Sequence, residues 1–192
     1  MGGAAAGDVA SQLAIEEVNR LVAAGTALPD AIASAHEAIL SAPAAGRGSA
    51  GMGTTLVALR LEGVRYELAW LGDSRIYRLR GGELAQLTRD HSLVQDMIES
   101  GEITAAEARA HPKRNIITRA LGALSARAPK VERREGSVQA GDLFLLCTDG
   151  LNGELADDRI QSILADSRDP QDAARLLVAA AVAAGGQDNV TA

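Results

Sequence analysis

From Asp8 onward, apolar residues recur at helical spacing: Ala10, Leu13, Ala14, Val18, Leu21 and Val22 fall on one face. That pattern predicts a helix with Asp8 as its N-cap and Gly25 as its stop, after a flexible lead over residues 1–7. A second helix is predicted over 29–42, with Pro29 in its first turn, Ile32, Ala35 and Ile39 on one face and Pro43 beyond it. On this reading His36 is a surface residue of the second helix.

The period then changes. Residues 54–61 and 64–71 read as strands joined at Glu62-Gly63, and 75–80 and 83–87 as a second pair around Gly81-Gly82. Connections this short permit antiparallel hairpins and exclude parallel crossovers. Tyr66, Leu68 and Trp70 share one face, opposite Arg65 and Glu67. Residues 88–122 are irregular and polar, with short helical pieces at 92–100 and 104–110. Strands resume at 130–134 and 142–147. The second of these, Asp-Leu-Phe-Leu-Leu-Cys, is apolar on both faces and is therefore expected at a sheet centre. Helices are predicted at 157–165 and 170–184, and residues 188–192 read as the start of a strand. Helices and antiparallel strands in separate blocks predict an α+β layered domain.

Composition narrows the function. The 192 residues suit one domain. Net charge is −6, from 19 basic and 25 acidic residues, with no basic run, which argues against nucleic acid and anionic membranes as partners. Aromatic residues are only 2%, so the core must be built from Ala, Leu, Val and Ile, and base-stacking surfaces are disfavoured. The longest uncharged apolar stretch, 176–186, is far short of the ~20 residues of a membrane helix. No leader pattern is present, and the single cysteine, Cys147, fits a reducing, cytoplasmic setting.

Three aspartates share a placement. Asp73 follows the apolar run ending Trp70-Leu71-Gly72, Asp149 follows Leu146-Cys147-Thr148, and Asp188 precedes the final predicted strand. Carboxylates held at strand ends can converge on hard cations such as Mg²⁺ or Mn²⁺, and two such ions would activate a water and neutralise a phosphate. Strand-end aspartates, Asp149-Gly150 above all, are also ordinary turn residues. Gly46-Arg47-Gly48-Ser49-Ala50-Gly51 satisfies a dinucleotide fingerprint but opens a strand rather than a helix, so it reads as a linker. Cys147 lacks the arginine of a cysteine-phosphatase loop and reads as a core thiol. His91 is open between an acid–base role and a cap or local hydrogen bond. His111 reads as structural.

Seven stretches, in order, carry a resemblance: MGG…AGDVASQLA at 1–14, GMGTTLVAL, LGDSRIYRLR, LTRDHSLVQDMIESGEIT, HPKRNIITRALG, GDLFLLCTDGL and GGQDNVT. Together the chain resembles the metal-dependent protein phosphatases, the protein phosphatase 2C type, in their bacterial form. The resemblance implies a sandwich of two antiparallel sheets flanked by helix pairs, spanning 1–192 as one domain, with 88–122 as a mobile flap. It implies hydrolysis of phosphoserine and phosphothreonine in proteins by metal-activated water, with two Mn²⁺ or Mg²⁺ ions and a third, weaker one. Phosphorylated proteins would be its substrates and a serine/threonine protein kinase its counterpart. Asp149 and Asp188 match the aspartates of the dinuclear centre, and Asp73 the aspartate of the third ion. A non-catalytic binding domain of the same fold is the alternative.

The family motif reads Asp-Gly-Met-Gly-Gly, and this chain starts at the Met. The Asp-Gly pair and the phosphate-binding arginine are therefore expected upstream of Met1, and the last strand is expected to continue past Thr191. Residues 1–192 alone are expected to hold metal poorly and to have little activity.

Overall fold

The computed structural model describes residues 6–123, 129–186 and 188–192. Most of the predicted flexible lead, residues 1–5, and Gln187 beside Asp188 lie outside the described residues. The described residues fall into two compact units, one of Met1–Gly72 with His91–Ser137, the other of Asp73–Asp90 with Val138–Ala192.

The first unit opens with α1 (Gly7–Ala23) and α2 (Leu28–Ser41), the latter running into a 3-10 turn at Ala42–Ala45. Asp8 is not the N-cap of α1: Ala6 holds that place at φ 64°, without a side-chain cap. Asp8 sits inside the first turn instead, where its charge complements the helix dipole. Gly25 ends the helix as expected, in the left-handed region at φ 88°. Antiparallel strands follow: β1 (Leu56–Glu62) and β2 (Arg65–Leu71) pair as a hairpin with Ala58 opposite Ala69. Leu56, Ala58, Ala69 and Leu71 pack with the small residues Ala10, Ala14, Ala31 and Ala35 of the helices in one apolar cluster.

His36 is not a surface residue. It is 1% exposed, and its Nδ1 accepts the Gly122 N–H at 3.1 Å. The partner lies 86 residues away, so the helical periodicity around His36 carried no sign of it. The polar stretch of this unit contains α3 (Leu93–Glu99) and α4 (Ala105–Ala110), α4 being opened by a Thr104–Glu107 capping box. Its backbone is tied at Leu121 to Thr54 and at Ile117 to Ser92. A third strand, β5 (Glu132–Ser137), pairs with β2, giving the order β1-β2-β5.

In the second unit the order is β4-β3-β6, all antiparallel, from β3 (Arg75–Arg80), β4 (Glu83–Gln86) and β6 (Leu143–Cys147). The expectation that β6 is central is corrected: β3 is the middle strand of the described sheet and β6 lies beside it. The apolar character of β6 has another source. Leu145 and Cys147 join a cluster with Leu151, Ile160, Leu164 and Leu177, from α5 (Asp149–Asn152), α6 (Asp157–Asp166) and α7 (Pro170–Ala183). Each such Leu or Ile contributes about 1.5–3 kcal/mol on burial. Arg80 closes the far end of β3 by a two-pronged pair with Asp142, Nε to Oδ1 at 2.7 Å and Nη2 to Oδ2 at 2.6 Å. The predicted final strand does not appear; residues 188–192 carry no strand assignment. Among the described residues no helix is long and apolar enough to cross a membrane.

Candidate functional site

The register of β3 against β6 builds the site. Arg75, at the start of β3, sits opposite Cys147, at the end of β6, in an antiparallel pair. Two residues further out on each strand stand Asp73 and Asp149, which the same register sets against each other. Asp73 is 8% exposed, and burial, helped by the charge of Asp149, pushes its carboxyl up to about 6.

Asp149 opens the short helical turn α5. Thr148 before it does not cap that turn with its side chain. Its hydroxyl donates to the Asn189 carbonyl at 3.2 Å and accepts the Thr191 N–H at 3.0 Å, while its own N–H donates to the Thr191 carbonyl at 3.1 Å. Thr148 thus laces the segment after Asp188 alongside the start of the Asp149 turn. Gly150 is required by the same approach, since a Cβ there would stand 2.4 Å from the Asn189 carbonyl oxygen. The Asp149-Gly150 pair is therefore not a turn glycine of positive φ but a close-contact glycine. Asp188 is exposed, and its Oδ1 accepts the Asn189 N–H at 2.7 Å.

Among the described residues no group of three or more His, Cys, Asp or Glu side chains closes around a point. What the fold brings together is Asp73 with Asp149 directly, and the segment of Asp188 with that of Asp149 through Thr148. Hard oxygen donors of like charge, one of them held against its ordinary ionisation, fit a divalent cation such as Mn²⁺ or Mg²⁺.

The remaining candidates take structural places. His91 is fully buried, and its Nδ1 accepts the Gly72 N–H at 3.0 Å. The helix cap beside it is Ser92, whose hydroxyl accepts the Gln95 N–H at 3.3 Å. Cys147 is 3% exposed, and burial pushes its thiol up to about 12, so it is no nucleophile. His111 follows the end of α4 and accepts the Lys113 N–H. Sequence reasoning did not single out the pair of Arg75 and Asp90, whose Nη2 and Oδ2 lie 2.7 Å apart two residues beyond Asp73. Both sit inside motifs already in view, LGDSR and LTRDH, and only the fold shows that they meet.

The shift on Asp73 has a testable sign. Its folded value of about 6 stands above the 3.8 of a free aspartate, so the folded chain holds this proton more tightly. The stability it contributes is complete below about pH 4 and is lost as pH rises through about 6. Without divalent cation, Asp73→Asn is expected to raise the unfolding free energy at pH 7.5, by up to about 3 kcal/mol, and to leave it near wild type at pH 4. Scanning calorimetry at the two pH values reads this, and an equal shift at both would refute the burial of an ionising carboxylate.

Comparison with known proteins places the chain. The family described as Protein phosphatase 2C matches residues 1–180. The serine/threonine protein phosphatase PstP of Mycobacterium tuberculosis is 41% identical over 197 aligned residues, covering 100% of this chain. The chain spans only 38% of that relative's length. A crystal structure of the PstP catalytic domain in complex with two manganese ions superposes with a TM-score of 0.82 at 36% identity, over 96% of this chain and 78% of that one. Staphylococcus aureus Stp1, a serine/threonine phosphatase, gives a TM-score of 0.91 at 30% identity, over 100% of this chain and 78% of its own. Helices and two antiparallel sheets in the α+β arrangement are common to these folds. The chain belongs to the protein phosphatase 2C family.

Proposed function

We propose that the protein carrying this chain is a metal-dependent serine/threonine protein phosphatase, hydrolysing phosphoserine and phosphothreonine in cytoplasmic proteins phosphorylated by a cognate serine/threonine kinase. The observation that carries this is the register that sets Asp73 opposite Asp149, with the Asp188 segment laced to Thr148. Asp149 and Asp188 would hold two Mn²⁺ or Mg²⁺ ions, and Asp73 with Asp149 a third, within one domain whose residues 88–122 form a flap. When bound, the metal supplies an activated water and neutralises the phosphoryl charge. The chain's own part is to hold the carboxylates rigid. β3 and β6 fix Asp73 and Asp149 at strand ends, Thr148 fixes the Asp188 segment, and the buried, protonated Cys147 stays out of the chemistry.

The test is phosphothreonine-peptide hydrolysis by the full-length protein in Mn²⁺, in excess chelator, and after Mn²⁺ is restored. Turnover that vanishes with chelator and returns with metal is expected. Undiminished turnover in chelator would overturn the reading, and tight Mn²⁺ binding with no turnover on any phosphopeptide would favour the non-catalytic domain.

A further inference from the structure

We propose that His91 is a positioning residue for this site: it clamps the Gly72 peptide and so fixes Asp73, and Glu132 orients the His91 ring. The proposal rests on the phosphatase reading only for its functional consequence; the clamp is a matter of geometry. His91 meets both polar groups of one residue. Its Nδ1 accepts the Gly72 N–H at 3.0 Å, and its own N–H donates to the Gly72 carbonyl at 2.9 Å. Gly72 is the residue before Asp73, and it is itself confined. It lies at φ 114°, and a Cβ there would stand 2.3 Å from Thr55 Cγ2. The His91 carbonyl accepts the Thr118 N–H at 2.8 Å, so the backbone of the clamp is anchored on its other side.

The ring chemistry extends the argument. An Nδ1 that accepts from an amide carries no proton, so the neutral ring is protonated at Nε2. Nε2 lies 3.3 Å from Arg119 Nη1 and 3.9 Å from Glu132 Oε1. Two N–H donors cannot bond each other, so the Arg119 approach is not a hydrogen bond to His91. Glu132 Oε1 is the negative group on this side of the ring: Arg119 donates to it at 3.2 Å, and Lys130 lies 4.0 Å away. The Gly72 amide thus selects the tautomer, and the Glu132 charge on the Nε2 side favours the same ring orientation, as carboxylates behind histidines do at metal sites. Here the group held is a peptide N–H, and the carboxylate one residue on is Asp73.

Three variants of the full-length protein test this, read first without metal by hydrogen exchange of the Gly72 amide and then by direct Mn²⁺ binding. His91→Leu removes the acceptor, leaves a buried amide unpaired, and is expected to speed Gly72 exchange by about tenfold to a hundredfold. It is also expected to weaken Mn²⁺ binding about tenfold. His91→Asn offers Oδ1 close to the position of Nδ1 and is expected to restore both to within about threefold of wild type. Glu132→Gln, which removes the orienting charge, is expected to fall between the two. Wild-type exchange at Gly72 in His91→Leu, or His91→Asn behaving like His91→Leu, would overturn the clamp. Should His91→Leu fail to fold, His91→Asn decides alone: slow Gly72 exchange supports the clamp and fast exchange in the folded variant overturns it. Absence of Mn²⁺ binding by the wild-type protein would instead overturn the phosphatase reading, while the metal-free exchange still decides the clamp.

Discussion

Asp149→Asn in the full-length protein is expected to lower Mn²⁺-dependent phosphopeptide turnover by at least about a hundredfold, since merely disturbing a ligand's supporting partner lowers activity about 10–100-fold. The fold should survive. Asp149 is half-buried at the first position of a short turn, and Asn preserves its shape. The metal-free protein should gain stability, because the Asp149 charge helps hold Asp73 away from its ordinary ionisation. Opposite signs on activity and metal-free stability distinguish a ligand from a structural aspartate, whose loss lowers both. Asp188→Asn should share the loss of turnover without the gain, since Asp188 is exposed. Turnover at limiting Mn²⁺ and chemical denaturation in chelator make the measurement. Wild-type turnover by Asp149→Asn at limiting Mn²⁺ would contradict its assignment.

Local signals carried the element order and the three aspartates into view; long-range pairing set the rest. Hairpins at Glu62-Gly63 and Gly81-Gly82 were legible because turn chemistry and alternation are contiguous in sequence. Strand order was not. The apolar run at 143–147 signals burial on both faces, and burial arises equally from a helical cover or from flanking strands. His36 looked like one more polar position on a helix, and its partner is the backbone amide of Gly122, which no side-chain pattern announces. Asp149-Gly150 read as a turn, yet the glycine is there because the Asn189 carbonyl passes too close for a Cβ. That contact exists only once residues 148 and 189–191 have met. The candidate aspartates were thus visible as types and places, whereas the reason they face one another, Arg75 opposite Cys147, is a register, and register is fixed by the whole sheet.

The largest loss of stability is expected from Asp90→Ala, about 3–5 kcal/mol, the usual consequence of stranding one partner of a buried pair. Arg75 reaches Asp90 with Nε at 2.9 and 3.0 Å and with Nη2 at 2.7 Å, and Gln86 donates to the same carboxylate at 3.0 Å. The side chains are 20% and 9% exposed. Burial opposes the charge on Arg75, but the Asp90 hydrogen bonds outweigh it and its pKa is raised. Its Nη1 also donates to the Tyr77 hydroxyl at 2.8 Å, which donates on to Asp157 at 3.2 Å, so the pair ties β3 to the start of α6. Removing Asp90 leaves a buried guanidinium without the carboxylate that three of its hydrogen bonds reach, two residues from Asp73. Removing both charges together is a different matter, because the desolvation of the pair then disappears along with its attraction. The double variant Arg75→Met with Asp90→Leu is expected to recover most of the lost stability, and yet to leave Mn²⁺ binding impaired, since apolar packing restores the core without restoring the directional hold on the residues beside Asp73. Urea unfolding of the single and double variants in chelator, paired with Mn²⁺ titration of each, separates the two effects. A single variant within about 1 kcal/mol of wild type would show that the pair is solvated rather than buried.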